Sequence, residues 1–260
     1  MRTFALLVAA VVVGAPAGGE EPARRSLRVL TYNIHHGEGT DGKLDLERIA
    51  KVISDTKPDL VAVQEVDRKA KRTGGADQTA ELARFTGLHG RFGRAIDFQG
   101  GEYGQAVLSR FPVRGFKVHE LPNEGGREQR IAAAAEVQLG DKGPALLFVS
   151  THLDHQKDDL RQKQAAKLDE LFGKAKGLVI LAGDLNATPD SKPLAVLAKN
   201  WKSAETGKPL LTIPVEKPTK QIDFVLHRPA DGLKVTETRV LAEAVASDHR
   251  AVLVVLELPE

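Results

Sequence analysis

Leu178-Val179-Ile180-Leu181-Ala182 is an apolar run that breaks into Gly183-Asp184-Leu185-Asn186. Such a short run reads as a buried strand. Alternate side chains of a strand share a face, so Asp184 and Asn186 are expected to leave the sheet aimed at one point. A second apolar run, Ala251-Val252-Leu253-Val254-Val255, follows Ser247-Asp248-His249. Working outward, Arg28 to Thr31 leads to Asn33, Val61-Ala62-Val63 to Glu65, and Leu147-Phe148-Val149 to His152. Asp223 sits within Ile222-Asp223-Phe224-Val225-Leu226. On alternation Asn33 shares a face with Val29 and Thr31, Glu65 with Val61 and Val63, and His152 with Phe148 and Ser150.

Between these runs the pattern alternates strands with helices and then becomes strand-rich. Asp45 is placed to cap a helix through about Thr56, with Leu46, Ile49, Val52 and Ile53 at helical spacing. Asp77 is placed to cap a short helix to Phe85. Hairpin-like strands are expected near 91–98, 104–110, 113–121, 130–139 and 145–151. A helix follows from Asp158 to Lys174, a short one near 191–200, and strands near 222–227, 234–241 and 250–257. Residues 27–258 hold no linker-like tract or fixed-period repeat, so a single α/β domain is predicted there.

Hydrophobic residues make up 42% of the 260-residue chain and charged residues 28%, the balance of a globular protein with a sizeable core. The formal net charge of +2 does not mark a nucleic-acid binder. Residues 1–19 read as an export signal, with Arg2, an apolar stretch from Phe4 to Val13 and the small-residue site Ala15-Pro16-Ala17. Residues 20–26 read as a polar linker. A periplasmic or extracellular location follows. The chain has no cysteine, so no disulfide supports it there. No obligate protein partner is called for, and a monomer is expected.

The polar strand ends define the chemistry. Glu65, Asp184 and Asp248 offer hard oxygen ligands, and Asn33 and Asn186 add neutral ones. There is no His-x-x-x-His spacing, and oxygen-rich donors favour Mg2+ or Mn2+ over zinc. A buried Asp223 needs a hydrogen-bonding partner, and His249 is the candidate. An Asp–His pair favours imidazolium, which places positive charge where a phosphorane becomes negative. These features suggest metal-assisted hydrolysis of a phosphoester by in-line attack of water.

The strings Thr31-Tyr32-Asn33-Ile34, Gln64-Glu65-Val66, Ala106-Val107-Leu108-Ser109-Arg110, Thr151-His152-Leu153, Gly183-Asp184-Leu185-Asn186, Ile222-Asp223-Phe224 and Ser247-Asp248-His249 occur in one order along the chain. As a set they resemble the endonuclease/exonuclease/phosphatase superfamily, the deoxyribonuclease I-like fold. That resemblance implies a four-layer α/β/β/α sandwich, two mixed β-sheets packed face to face and flanked by helices, with the site at one edge. It implies Glu65 as principal metal ligand, helped by Asn33 and Asp248. Asp184 would orient or deprotonate water, Asn186 hold water or phosphate, His152 and His249 contact phosphate, and Asp223 orient His249. Two positions depart from the pattern: His35 stands where many DNA-repair members carry an acid, and Gln105 where many relatives have asparagine.

Arg68-Lys69-Ala70-Lys71-Arg72 follows Glu65 closely, so Arg68 is a candidate phosphate contact, as is Arg130 beside Arg127. Tyr32-Asn33-Ile34-His35-His36-Gly37 resembles bacterial relatives of the GPI-anchor lipid-remodelling branch, which implies a phospholipid or inositol-type head group as substrate. The alternatives are an exported nuclease acting on DNA or RNA and a non-catalytic binding module on the same scaffold.

Overall fold

The computed structural model describes residues 26–140 and 143–259. The expected export signal over 1–19, and residues 20–25 of the expected linker, lie outside the described residues; the first strand begins at Ser26.

The first sheet runs, in spatial order, β11 (Lys234–Val240), β12 (Val252–Glu257), β1 (Ser26–Asn33), β2 (Leu60–Arg68), β4 (Gly101–Ser109) and β3 (His89–Phe98). The second runs β5 (Val113–Glu120), β6 (Ile131–Gln138), β7 (Ala145–His152), β8 (Leu178–Asp184), β10 (Asp223–His227) and β9 (Lys202–Ser203). β1 and β2 are parallel, as are β7 and β8, and all other pairs are antiparallel. Both sheets are therefore mixed, as the sequence implies. β9 is only two residues long and lacks the apolar run by which a strand is read.

Three apolar clusters build four layers. Val29, Leu60, Ala62 and Val107 of the first sheet meet Phe148, Ile180, Ala182 and Val225 of the second. The opposite face of the first sheet, with Leu30, Val61 and Leu253, is covered by α1 (Leu46–Asp55) and α2 (Gln78–Thr86). The outer face of the second, with Val149, Val179, Leu181 and Phe224, packs on α3 (Asp158–Phe172) and α4 (Lys192–Leu197). Asp45 and Asp77 do cap α1 and α2, accepting from Arg48 N at 2.9 Å and Ala80 N at 3.0 Å.

This topology fixes where function can sit. β1, β2, β7 and β8 all end at one rim, while β6, β10 and β12 start there: Ala132 is opposite Thr151, Asp223 opposite Asp184, and Val252 opposite Thr31. One contact sets the spacing of the two central strands of the second sheet. A Cβ on Gly183 would lie 1.9 Å from the Thr151 carbonyl oxygen, so β7 and β8 close up beside the rim only if this residue has no side chain.

Two stability measurements follow. Gly183→Ala is expected to destabilise the fold by about 1–3 kcal/mol or more, since backbone and not a flexible side chain must yield; chemical denaturation with an unchanged midpoint would refute it. His227 is buried on β10, neither ring nitrogen has a hydrogen-bond partner, and burial lowers its pKa. Below about pH 6.5 the unfolded chain takes up a proton that the native imidazole resists. Stability is therefore lost as pH falls through that value, and His227→Leu should flatten the dependence in pH-resolved melts.

Candidate active site

Asp184, the last residue of β8, is completely buried and lies at the centre of the rim. Its Oδ2 accepts from Asn33 Nδ2 at 3.2 Å and lies 3.5 Å from His152 Nε2 and 3.7 Å from His249 Nε2. Its Oδ1 accepts from the Asn186 backbone N–H at 2.8 Å. Asn33 donates from the same amide nitrogen to Glu65 Oε1 at 3.0 Å, and its Oδ1 accepts from His35 N at 3.1 Å. One carboxamide thus joins an acid of each sheet.

His249 donates from Nδ1 to Asp223 Oδ2 at 2.9 Å, the pairing expected from the sequence, and Thr212 Oγ1 donates to the same oxygen at 2.5 Å. Burial alone would strip His249 of its proton, but Asp223, and then Asp184 and Asp248, hold its pKa up instead. Asp184 is displaced upward, chiefly by burial and by repulsion from Asp223. The result is an imidazolium between two buried carboxylates, one of which binds a proton far more readily than a free aspartate. Burial first, then the positive charges of Arg130 and His249, drive His152 the other way, so it is neutral. Asn186 Nδ2 donates to Leu153 O (3.1 Å) and to His152 Nε2 (2.9 Å), which leaves the His152 proton on Nδ1.

Backbone irregularity, more than strand alternation, aims two of these groups. β2 slips register between Val63 and Val66, so Gln64 and Glu65 together oppose Gln105 of β4. Regular alternation would have left Glu65 with Val61 and Val63, facing the helices. The bulge, with Glu65 at φ 58°, brings its carboxylate to Asn33 instead. Gln64 takes the inward place, accepting from Thr31 Oγ1 at 3.3 Å and donating to Ser150 Oγ of the other sheet at 3.4 Å. Asn186 is likewise not a strand residue: it lies past the end of β8 at φ 47°, and its approach to His152 comes from that turn. His35 and His36, at φ 46° and 44°, complete a group of four left-handed non-glycine residues at the rim, each costing about 1–3 kcal/mol.

The structure brings Asn33, Glu65, His152, Asp184, Asn186, Asp223 and His249 into one connected group. Asp248 is half-buried beside His249 and accepts from Ser247 Oγ at 3.3 Å. Arg130 is buried across from His152, paired with Glu128 at 2.9 Å and 3.2 Å from His155 Nδ1. Gln105 is fully buried and neither atom of its amide has a hydrogen-bond partner. Arg68 stands apart: its guanidinium is bonded to Glu102 and lies 4.5 Å from the Phe92 ring, and among the described residues no hydrogen bond joins it to the Asp184 group. His35 and His36 escaped the sequence reading as ligands. Their nitrogens approach the Glu65 carboxylate, and the only sequence signal was the His-His-Gly turn directly after Asn33.

This architecture, with acids, amides and imidazoles gathered at one end of two packed mixed sheets, is that of phosphoester hydrolases of the endonuclease/exonuclease/phosphatase class. The Endonuclease/Exonuclease/phosphatase family model matches residues 30–249, and the chain belongs to that family. YbhP of Escherichia coli K12 is 26% identical over 239 residues, spanning 86% of this chain and 93% of YbhP. A crystal structure of an endonuclease/exonuclease/phosphatase from Beutenbergia cavernae superimposes with a TM-score of 0.76 at 29% identity, over 90% of this chain and 72% of that one. A mannosyl-6-phosphatase from Bacteroides thetaiotaomicron shares the fold with a TM-score of 0.70 at 21% identity, over 88% of this chain and 99% of that one.

Two buried carboxylates around one imidazole hold more negative charge than packing alone would choose. Asp184→Asn removes the more costly of them and keeps the shape. It is expected to raise the unfolding free energy at pH 8, on the order of 1 kcal/mol for each pKa unit that burial imposes. An Asp184→Asn protein that melts below the parent would show that the carboxylate is a net support of the fold.

Proposed function

We propose that the chain is a divalent-cation-dependent phosphoester hydrolase, a phosphodiesterase or phosphatase, that acts by in-line attack of water. The observation that carries this reading is Asp184 Oδ2, on which Asn33, His152 and His249 converge within 3.7 Å. A buried carboxylate with a raised pKa is suited to take the proton of the attacking water. The His249 imidazolium, held by Asp223, and the buried Arg130 guanidinium oppose the negative charge that grows on the phosphorus oxygens. Arg130 has a donor to offer, since its Nε lacks a hydrogen-bond partner. Asn186 keeps the neutral His152 in place.

The donor set fits a hard cation. Glu65 and Asp248 supply half-buried carboxylates, and the orphaned Gln105 amide beside the Glu65 bulge marks a place where a polar partner belongs. Asn33, as placed, bridges Glu65 and Asp184 through its nitrogen; to act as an oxygen ligand its amide must be reversed. Glu65, Asp248 and Asn33 would hold an Mg2+ or Mn2+ ion, which would neutralise charge on the scissile phosphate.

A compact phosphoester, such as a sugar phosphate or an inositol-type head group, suits the surface better than a nucleic acid does. Arg68 is engaged by Glu102, and Arg72 by Asp67 at 2.7 and 2.9 Å, so both arginines of the basic run after Glu65 are taken up in place. That leaves Lys69 and Lys71 as the loop's charges for a polyanion, a smaller footprint than the run suggests. Export to the periplasm or beyond belongs to the same reading and rests on residues 1–19.

The test is hydrolysis of bis-p-nitrophenyl phosphate, sugar phosphates, inositol phosphates, phospholipids and DNA by chelator-treated protein, with and without Mg2+ or Mn2+. Activity should require the added ion, and His249→Ala should lower kcat by about 100-fold or more with its melting transition retained. Turnover that is indifferent to chelation, or none on any of these compounds, would defeat the proposal. Salt-sensitive cutting of DNA alone would transfer it to a nuclease.

A further inference from the structure

We propose that His35 and His36 join Glu65 in a second metal position, one that shares the Glu65 carboxylate with the Mg2+ set proposed above and takes a transition-metal ion of the Zn2+ or Co2+ type in preference to Mg2+. One ligand nitrogen from each imidazole and one carboxylate oxygen of Glu65 lie within 4.8 Å of one another. Movements of under about 1 Å per side chain turn that spacing into bonds of about 2.0–2.1 Å.

The two imidazoles are prepared for this by one residue, Glu38. His36 Nε2 lies 3.3 Å from Glu38 Oε2, and His35 Nδ1 lies 3.1 Å from the Glu38 carbonyl oxygen. Both acceptors call for an N–H, so in the neutral form of each ring the proton sits on the nitrogen that faces Glu38 and the lone pair on the other. On His36 that other atom is Nδ1, which is buried and has no hydrogen-bond partner, in a residue only 8% exposed. A second nitrogen tied to a carboxylate or a carbonyl is the arrangement that orients histidine metal ligands. Glu65 uses Oε1 for Asn33, and its carboxylate is the anionic member of the group.

The backbone is committed to the same end. His35, His36 and Gly37 have φ of 46°, 44° and 81°, and Glu65 has 58°. The turn is pinned from both sides: Gln78 Nε2 donates to the His36 carbonyl at 2.7 Å, while Gln78 Oε1 accepts from Asp67 N at 2.9 Å. Gln78 thereby fixes the distance between the histidine turn and the end of β2 that carries Glu65. Two imidazoles with one carboxylate suit zinc, cobalt, nickel or copper, whereas Mg2+ demands oxygen donors. Neighbouring residues 35 and 36 with a partner thirty positions away make no spacing motif, so the sequence did not announce the group.

The site is tested as metal binding, apart from any hydrolysis. Full-length chelator-treated protein, labelled with 15N, is titrated with Zn2+ and separately with Mg2+ while the histidine side-chain nitrogens are followed by NMR. Zn2+ should give two histidines, whose signals vanish in His35→Gln and His36→Gln, the large nitrogen shift of direct coordination, and Mg2+ on the Glu65 carboxylate should not. By calorimetry each of these variants should bind Zn2+ about tenfold or more weakly. Asp184→Asn should still bind Zn2+ with hydrolysis gone, which separates this site from the catalytic reading. Shifts confined to His152 and His249, or wild-type Zn2+ affinity in both variants, would overturn the assignment. If either variant fails to fold, the wild-type spectra decide: no Zn2+-responsive pair besides His152 and His249 rejects the site.

Discussion

The hydrogen bonds from Asn33 Nδ2 to Glu65 Oε1 and Asp184 Oδ2 are the contact on which this rim depends. Glu65 belongs to the first sheet and Asp184 to the second, and Asn33 and Asp184 are 151 positions apart. Two carboxylates held this close repel, and burial strengthens the repulsion. A shared amide donor, with the His249 imidazolium 3.7 Å from the same Asp184 oxygen, makes the arrangement tolerable.

Behind that contact the two sheets stay joined by polar groups before the hydrocarbon core begins. Thr31, Gln64 and Ser150 form a buried chain across the gap, one layer below Asn33 and His152. Val29, Ala62 and Phe148 then take over. The gradient from charged to polar to apolar along a single pair of faces keeps each buried donor and acceptor near a partner. Several of the exceptions lie at the rim, where Gln105, His152 Nδ1, Arg130 Nε and Asp223 Oδ1 lack partners. Buried groups without partners at one location are those that a bound ion, water or phosphate oxygen satisfies.

Strain follows the same distribution. Left-handed residues at 35, 36, 65 and 186 surround the Asp184 group. Distant parts of the fold hold two of them, as Gln78 holds the His36 carbonyl and His152 and Leu153 hold the Asn186 side chain. The rigid sandwich supplies the stability that these turns subtract, and in exchange ligand groups point where no regular strand would send them.

The sequence by itself determined the alternation of strands and helices, the caps at Asp45 and Asp77, the Asp223–His249 pair and the set of polar strand ends. These are local patterns or matches of charge, and period and composition encode them directly. It also named the family through motifs spread from Thr31 to His249. Tertiary structure alone decided the bulge that turns Glu65 toward Asn33, the left-handed turn that delivers Asn186, and the engagement of Arg68 by Glu102. It likewise gathered His35 and His36 against Glu65. Those outcomes depend on register slips and on partners supplied by distant strands. Neither is written in a stretch of residues read apart from the strands that will flank it.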